Sequence, residues 1–127
     1  MLSFPFSIEN LNGGFMKVEG ILRVEGEYLV FEFHKKDAVV EAYQSELKTA
    51  KIPLSELDML EFKKGWFSGK MILHGKTAKS FGDLPGKDLN ERVLKIKRKN
   101  RETGASISSN LNLRISEQKL SELDNEE

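Results

Sequence analysis

The chain has 127 residues, enough for one domain with a sizeable core, and its 39% hydrophobic and 31% charged residues predict a soluble globular class. It has no cysteine, which excludes disulfides, thiolate metal sites and thiol catalysis and suits a cytoplasmic location. Basic and acidic residues cancel overall but not locally: residues 63–101 hold twelve Lys/Arg against three Asp/Glu (+9), residues 1–62 six against eleven (−5), and residues 102–127 two against six (−4). That central excess has two readings, lysine-rich solvated strand faces or a basic face that meets an anionic partner. No apolar run is long enough to cross a bilayer. The start, MLSFPFSIEN, lacks a basic n-region and is followed by acids, so no signal peptide is expected.

The N-terminal half alternates with period two. In FMKVEGILRVEG, Met16, Val18, Gly20, Leu22 and Val24 share one face. Gly26-Glu27 offers a tight turn, and YLVFEFH then puts Leu29, Phe31 and Phe33 on one face. The two runs predict an antiparallel hairpin, with Gly20 marking a bulge or a close approach. Residues 35–46 fit a loop, an irregular strand or a short helical turn. LKTAKIPL reads as a strand with Ala50 and Ile52 inward and Pro53 at a strand end or edge. LSELDMLEFKK, with Leu60 and Phe62 on one face, and KMILHG, with Met71 and Leu73, predict a second hairpin. Its connection lies in KKGWFSGK, where Gly65 and Gly69 supply permissive backbone over residues 65–69. GDLPGKDLN is a loop and ERVLKIKRK a strand with one apolar face. Beyond it, Ile107, Leu111 and Ile115 are spaced as one helix face, while Leu111, Leu113 and Ile115 also suit a strand. The acidic stretch EQKLSELDNEE reads as a frayed helical end or a disordered tail.

The stretch Ile52-Pro53-Leu54, Ser55-Glu56-Leu57, Leu60 to Lys64, Gly65 to Gly69 and Met71-Ile72-Leu73 resembles the bacterial pleckstrin-homology-like domains, relatives of GRAM domains. The preceding GILRVEGEYLVFEF and the later LPG and VLKIKRKNR extend the resemblance over roughly residues 15–117. It implies a mainly β fold, a PH-like β-sandwich or partly open barrel of about seven antiparallel strands capped by a C-terminal α-helix. It also favours helix over strand near 100–117, with Ile107, Leu111 and Ile115 inward. Residues 1–117 are then one domain and residues 118–127 an acidic tail. Two departures stand out. Lys17 and Arg23 are interleaved with Glu19 and Glu25, unlike the basic cluster of membrane-binding eukaryotic members, and the helix carries no tryptophan.

No catalytic constellation can be assembled, so no enzyme is expected. His34 and His74 lie forty residues apart on outward strand faces and suit surface positions better than a metal site. Gly-x-Ser-x-Gly, Gly-x-Gly-x-x-Gly and Walker patterns are absent. Glu25 and Glu27 flank a turn and read as solvated carboxylates. KIKRKNR could touch phosphates, but no aromatic residue follows Phe81 for base stacking, so nucleic acid is not the expected partner. What remains is a noncatalytic interaction module with no metal, cofactor or small-molecule substrate. Its expected contact is a protein partner or a second copy. The alternative is an anionic membrane surface met by the 63–70 hairpin tip. The expected contact residues are Lys63, Lys64, Trp66, Phe67, Lys70, Lys95, Lys97 and Arg98. Because neighbouring side chains diverge in extended backbone, one ring of the Trp66-Phe67 pair should pack on the sheet, with Trp66 the exposed one.

Overall fold

A computed structural model describes residues 2–42 and 46–125. The chain is mainly β: seven strands, all paired antiparallel, and one long C-terminal helix. The strands are β1 (Leu2–Leu11), β2 (Met16–Glu25), β3 (Tyr28–Asp37), β4 (Lys48–Pro53), β5 (Leu57–Lys64), β6 (Ser68–Gly75) and β7 (Glu91–Lys97). They form one open sheet in the order β4-β3-β2-β1-β7-β6-β5, which does not close into a barrel. β1 and β7 meet through a single register pair, Ser7 with Lys95. Two fully laddered halves, β1–β4 and β5–β7, therefore hang on a narrow join.

Alternation explains the strands. Phe4, Phe6 and Ile8 of β1 turn inward and are buried, as are Val18 and Leu22, then Leu29, Phe31 and Phe33. The Phe6 and Phe31 rings meet edge-to-face at 5.4 Å. β1 is the strand that the sequence reading left unassigned. Pro5 interrupts its pattern and cannot donate to a ladder. It is tolerated because the pairing to β7 occurs only at Ser7. The first hairpin forms as expected, with Gly26 at φ +57° in its two-residue turn. Gly20 pairs with Phe33 without a bulge, and a Cβ there would stand 2.0 Å from the Glu32 carbonyl oxygen. Ala50 and Ile52 are inward, and Pro53 ends β4 at the sheet edge. Within the stretch 35–46, β3 continues to Asp37 and a turn follows; residues 43–45 lie outside the described part.

The helix, α1, spans Arg101–Asn125. Ile107, Leu111 and Ile115 are buried against the sheet, which contributes about 1.5–3 kcal/mol for each such side chain removed from water. Of the two readings of the acidic stretch, the structure has the helical one over residues 118–125, which continue α1. Its docking depends on absent side chains: a Cβ on Gly69 or on Gly104 would lie within 2.6 or 2.7 Å of the Phe62 ring. The glycine that weakens the helix intrinsically is the one that lets Phe62 sit beneath it. Asn112 fixes the register, accepting from the Leu60 N–H at 2.8 Å and donating to the Leu60 carbonyl at 2.6 Å. Lys119 donates to the Asp58 carbonyl at 2.9 Å. The helix thus covers backbone groups that the outermost strand, β5, would otherwise leave open.

Candidate functional site

The second hairpin turns in three residues, Gly65, Trp66 and Phe67, because β6 already begins at Ser68. The Gly65 N–H donates to the Ser68 carbonyl at 2.8 Å. Neither glycine of this motif has a positive φ. Gly65 is required because a Cβ would meet the Ser68 carbonyl oxygen at 2.7 Å, and Gly69 because it lies inside β6 under Phe62. Close packing, not turn conformation, fixes both residues.

Both rings of the tip are exposed, Trp66 at 75% and Phe67 at 80%. The expectation that one would pack on the sheet fails for Phe67. The turn is so short that its two middle residues project past the end of the strands, where no sheet surface lies beneath them. A cation lies beside the tip: the Arg98 guanidinium stands 5.9 Å from the centre of the Trp66 ring, within cation–π range. Arg98 begins the short 3-10 turn, Arg98–Asn100, that leads from β7 into α1. Arg101, one turn further, donates to the Gly65 carbonyl and ties the tip to the start of the helix.

The register aligns the lysines. Lys63 pairs with Lys70, and Lys70 with Lys95, so three ammonium groups form a row across the outer face of β5, β6 and β7. Lys97 lies two residues beyond Lys95 on the same face and pairs with Ser68. Among the described residues, Lys63, Lys70 and Lys97 have no carboxylate within ion-pair distance. Two of the expected contact residues stand apart. Lys64 faces the helix and donates to Glu102 at 2.7 Å, and its cation holds that carboxyl below the usual range. Lys95 lies 3.7 Å from Glu9 at the join with β1. The structure therefore brings together Lys63, Trp66, Phe67, Lys70, Lys97 and Arg98.

Two grooves of about 440 and 470 Å³ flank Lys95. The first sets Lys70, Lys87 and Lys95 against Glu9, Asp88 and Glu91, and so offers no net charge to a small anion. In the second, Lys36 is bonded to Glu19 and Lys17 to Glu41. No cluster of His, Asp and Glu among the described residues could hold a metal ion. His74 lies 2.6 Å from Glu61, which stands diagonally across from it on β5. Arg92 is buried beside Phe81 and donates to the carbonyls of Leu84, Asp88 and Glu91, which shapes the 81–91 loop. Burial pushes its pKa down, partly offset by Asp88. Its place on the inward face was readable from the alternation with Leu94 and Ile96.

Compared with protein families, curated proteins and solved structures, the chain matches none.

Proposed function

We propose that the protein is a noncatalytic binding module that docks the 65–67 tip and the adjoining lysine row on an anionic membrane surface. The observation that carries this reading is the simultaneous exposure of Trp66 and Phe67 beside Lys63, Lys70 and Lys97, which have no carboxylate within ion-pair distance among the described residues. Two adjacent rings on a convex tip diverge, so a single protein pocket takes one of them poorly. A headgroup layer accepts both, because it has no fixed shape. Trp and Phe enter the interfacial zone while Lys63, Lys70, Lys97 and Arg98 meet anionic headgroups, at roughly 1 kcal/mol for each cation near the surface. Such a contact is peripheral: among the described residues, no helix is long and apolar enough to cross a membrane. Seven antiparallel strands followed by a helix are the coarse architecture that a PH-like reading requires. A peripheral role fits a cytoplasmic protein attracted to the negatively charged inner leaflet.

Cosedimentation with phosphatidylserine-rich vesicles, beside pure phosphatidylcholine vesicles, tests the proposal. Binding to the first alone, weakened by salt and accompanied by a blue shift of the single tryptophan, is the expected result. Absence of binding to either at low salt, or an emission unchanged on binding, would overturn it.

A further inference from the structure

The groove of about 440 Å³ lies where the two halves of the sheet part, and its size falls within the roughly 300–1,000 Å³ of small-molecule sites. β1 and β7 pair only at Ser7 and Lys95. Past that pair β1 bends away: its register with β2 shifts between Ile8 and Leu11, and Asn10 takes a φ of +59°. Further back along β7, Asp88 of the preceding loop bridges to Glu91. Between these two contacts lies Val93, whose side chain is partly exposed and forms an apolar floor. Residues 91, 93 and 95 alternate onto the same outer face, so their side chains line the groove in order.

Charge is zero in sum along this groove but separated by sign. At one end Lys70 and Lys95 are cross-strand partners. At the other, Asp88 and Glu91 are bridge partners, and the buried Arg92 donates to both of their backbone carbonyls and fixes them. Each end carries one opposite charge as well: Glu9 lies 3.7 Å from Lys95, and Lys87 adjoins Asp88 in the chain. His74 stands 3.8 Å from Glu91 but makes its shorter contact with Glu61. One cation in excess therefore faces one anion in excess across Val93. We infer that the groove binds a short peptide with both termini free, its carboxylate at Lys70 and Lys95 and its ammonium group at Asp88 and Glu91. Length selects the peptide. Four strand residues separate Lys95 from Glu91, about 13 Å. Three extended residues span about 10 Å and leave a hydrogen bond at each end. A free amino acid holds its two charges too close together to reach both ends. An anion without an ammonium group meets the Asp88–Glu91 pair and is disfavoured by it. The site lies beyond the membrane contact proposed above and shares only Lys70 with the free cations of that face.

Titration of the isotope-labelled chain with trialanine, followed by its backbone amide resonances, tests the assignment. Saturable shifts at Glu9, Glu91 and Val93 are expected, with a Kd of about 1 mM or tighter. N-acetyltrialanine and trialanine amide each lack one terminal charge and should bind about tenfold more weakly. Asp88→Asn should weaken trialanine by a similar factor, and free alanine should give no saturable shift. Asp88 is exposed and stands outside the lysine row, so its variant should keep both its fold, read from the amide signals away from the groove, and its attachment to phosphatidylserine-rich vesicles. Failure of the peptide site is thereby distinct from failure of the membrane contact. No saturable shift with trialanine at roughly 10 mM, well above that weak limit, would overturn the inference. So would equal binding of the two blocked peptides, shifts confined to residues 65–67, or unchanged binding in Asp88→Asn.

Discussion

Lysines face one another across strands in both halves of the sheet. On β2 and β3, Lys17 is opposite Lys36; on β5 and β6, Lys63 is opposite Lys70. In the first pair Glu41 reaches both ammonium groups, at 3.1 and 3.3 Å, and Glu19 approaches Lys36 at 3.0 Å. Nearby, Arg23 is bonded to Glu32 and lies 3.6 Å from Glu25. In the second pair no carboxylate intervenes among the described residues, and the row extends to Lys95. Like charges directly opposite one another cost roughly 0.2–1 kcal/mol. The first half shows how this fold neutralises such a pair; the second omits that device next to two exposed rings. The membrane contact proposed above would supply the negative charge that the Lys63–Lys70 pair lacks.

The comparison requires that both halves share one core and one stability. Ile107→Asp tests this with the largest expected effect. The side chain is 2% exposed and lies where α1 meets the sheet, so an unpaired carboxylate there should cost several kcal/mol in urea unfolding. A loss below about 0.5 kcal/mol, ordinary for a surface position, would mean that the helix contributes little to the fold.

A pair of glycine substitutions then separates the halves. In β2, Gly20→Ala drives a methyl group into the Glu32 carbonyl and the Phe33 Cα, both backbone, and should cost more than about 2 kcal/mol. In α1, Gly104→Ala meets only the Phe62 ring, which can shift, and gains about 1 kcal/mol of helix propensity. Its net loss should be the smaller in the same unfolding assay. The reverse order would show that the helix–sheet contact is tighter than the strand–strand one.

Much of this layout was legible in the chain. The inward sets Leu29/Phe31/Phe33 and Ile107/Leu111/Ile115 follow from periods of two and about 3.6, which belong to the local backbone. The closeness of Gly20 to its neighbour was legible for the same reason, as a side chain missing from an otherwise regular strand. Three things were not. β1 hid behind Pro5, whose tolerance depends on how little β7 pairs with that strand. Phe67 was expected to find a surface, but the tip outruns the sheet, a matter of turn length. The Lys63–Lys70–Lys95 row depends on cross-strand register, and no periodicity within a single segment encodes it. The exposure of Trp66 was therefore anticipated from the sequence, while the engagement of Lys64 by Glu102 and of Lys95 by Glu9 was not.

Acid should erase part of the difference between the halves. Hydrogen bonds from Lys17 and then Lys36 hold the Glu41 carboxyl below its usual range. A carboxyl depressed in the folded state contributes stability above its unfolded pKa, and that contribution disappears as pH falls through the folded value. Below the ordinary carboxylate range, Lys17 and Lys36 should thus come to resemble Lys63 and Lys70. The expected observation is a fall in urea midpoint on acidification that is shallower in Glu41→Gln. Identical slopes for the two proteins would assign the acid sensitivity to other carboxyls, such as Asp58, which Lys119 likewise depresses.

The smallest effect is the most discriminating, because its sign carries the information. Lys36→Thr removes a partner from Glu19 and Glu41, and should lower stability slightly, as for an exposed pair. Lys70→Thr removes one lysine of the Lys63–Lys70 pair, which has no carboxylate beside it among the described residues, and places a β-branched residue in a central strand. It should leave stability unchanged or raise it by a similar amount. Binding should respond in the opposite sense. Losing one cation from the docking face weakens attachment to phosphatidylserine-rich vesicles about fivefold, the equivalent of roughly 1 kcal/mol, whereas Lys36→Thr leaves it unchanged. If both variants lose stability alike and neither loses vesicle binding, the two lysine pairs are equivalent and the row on β5–β7 is ordinary solvated surface. If only Lys70→Thr releases the vesicles while folding as well as the parent, the missing carboxylates are accounted for by the partner that supplies the negative charge.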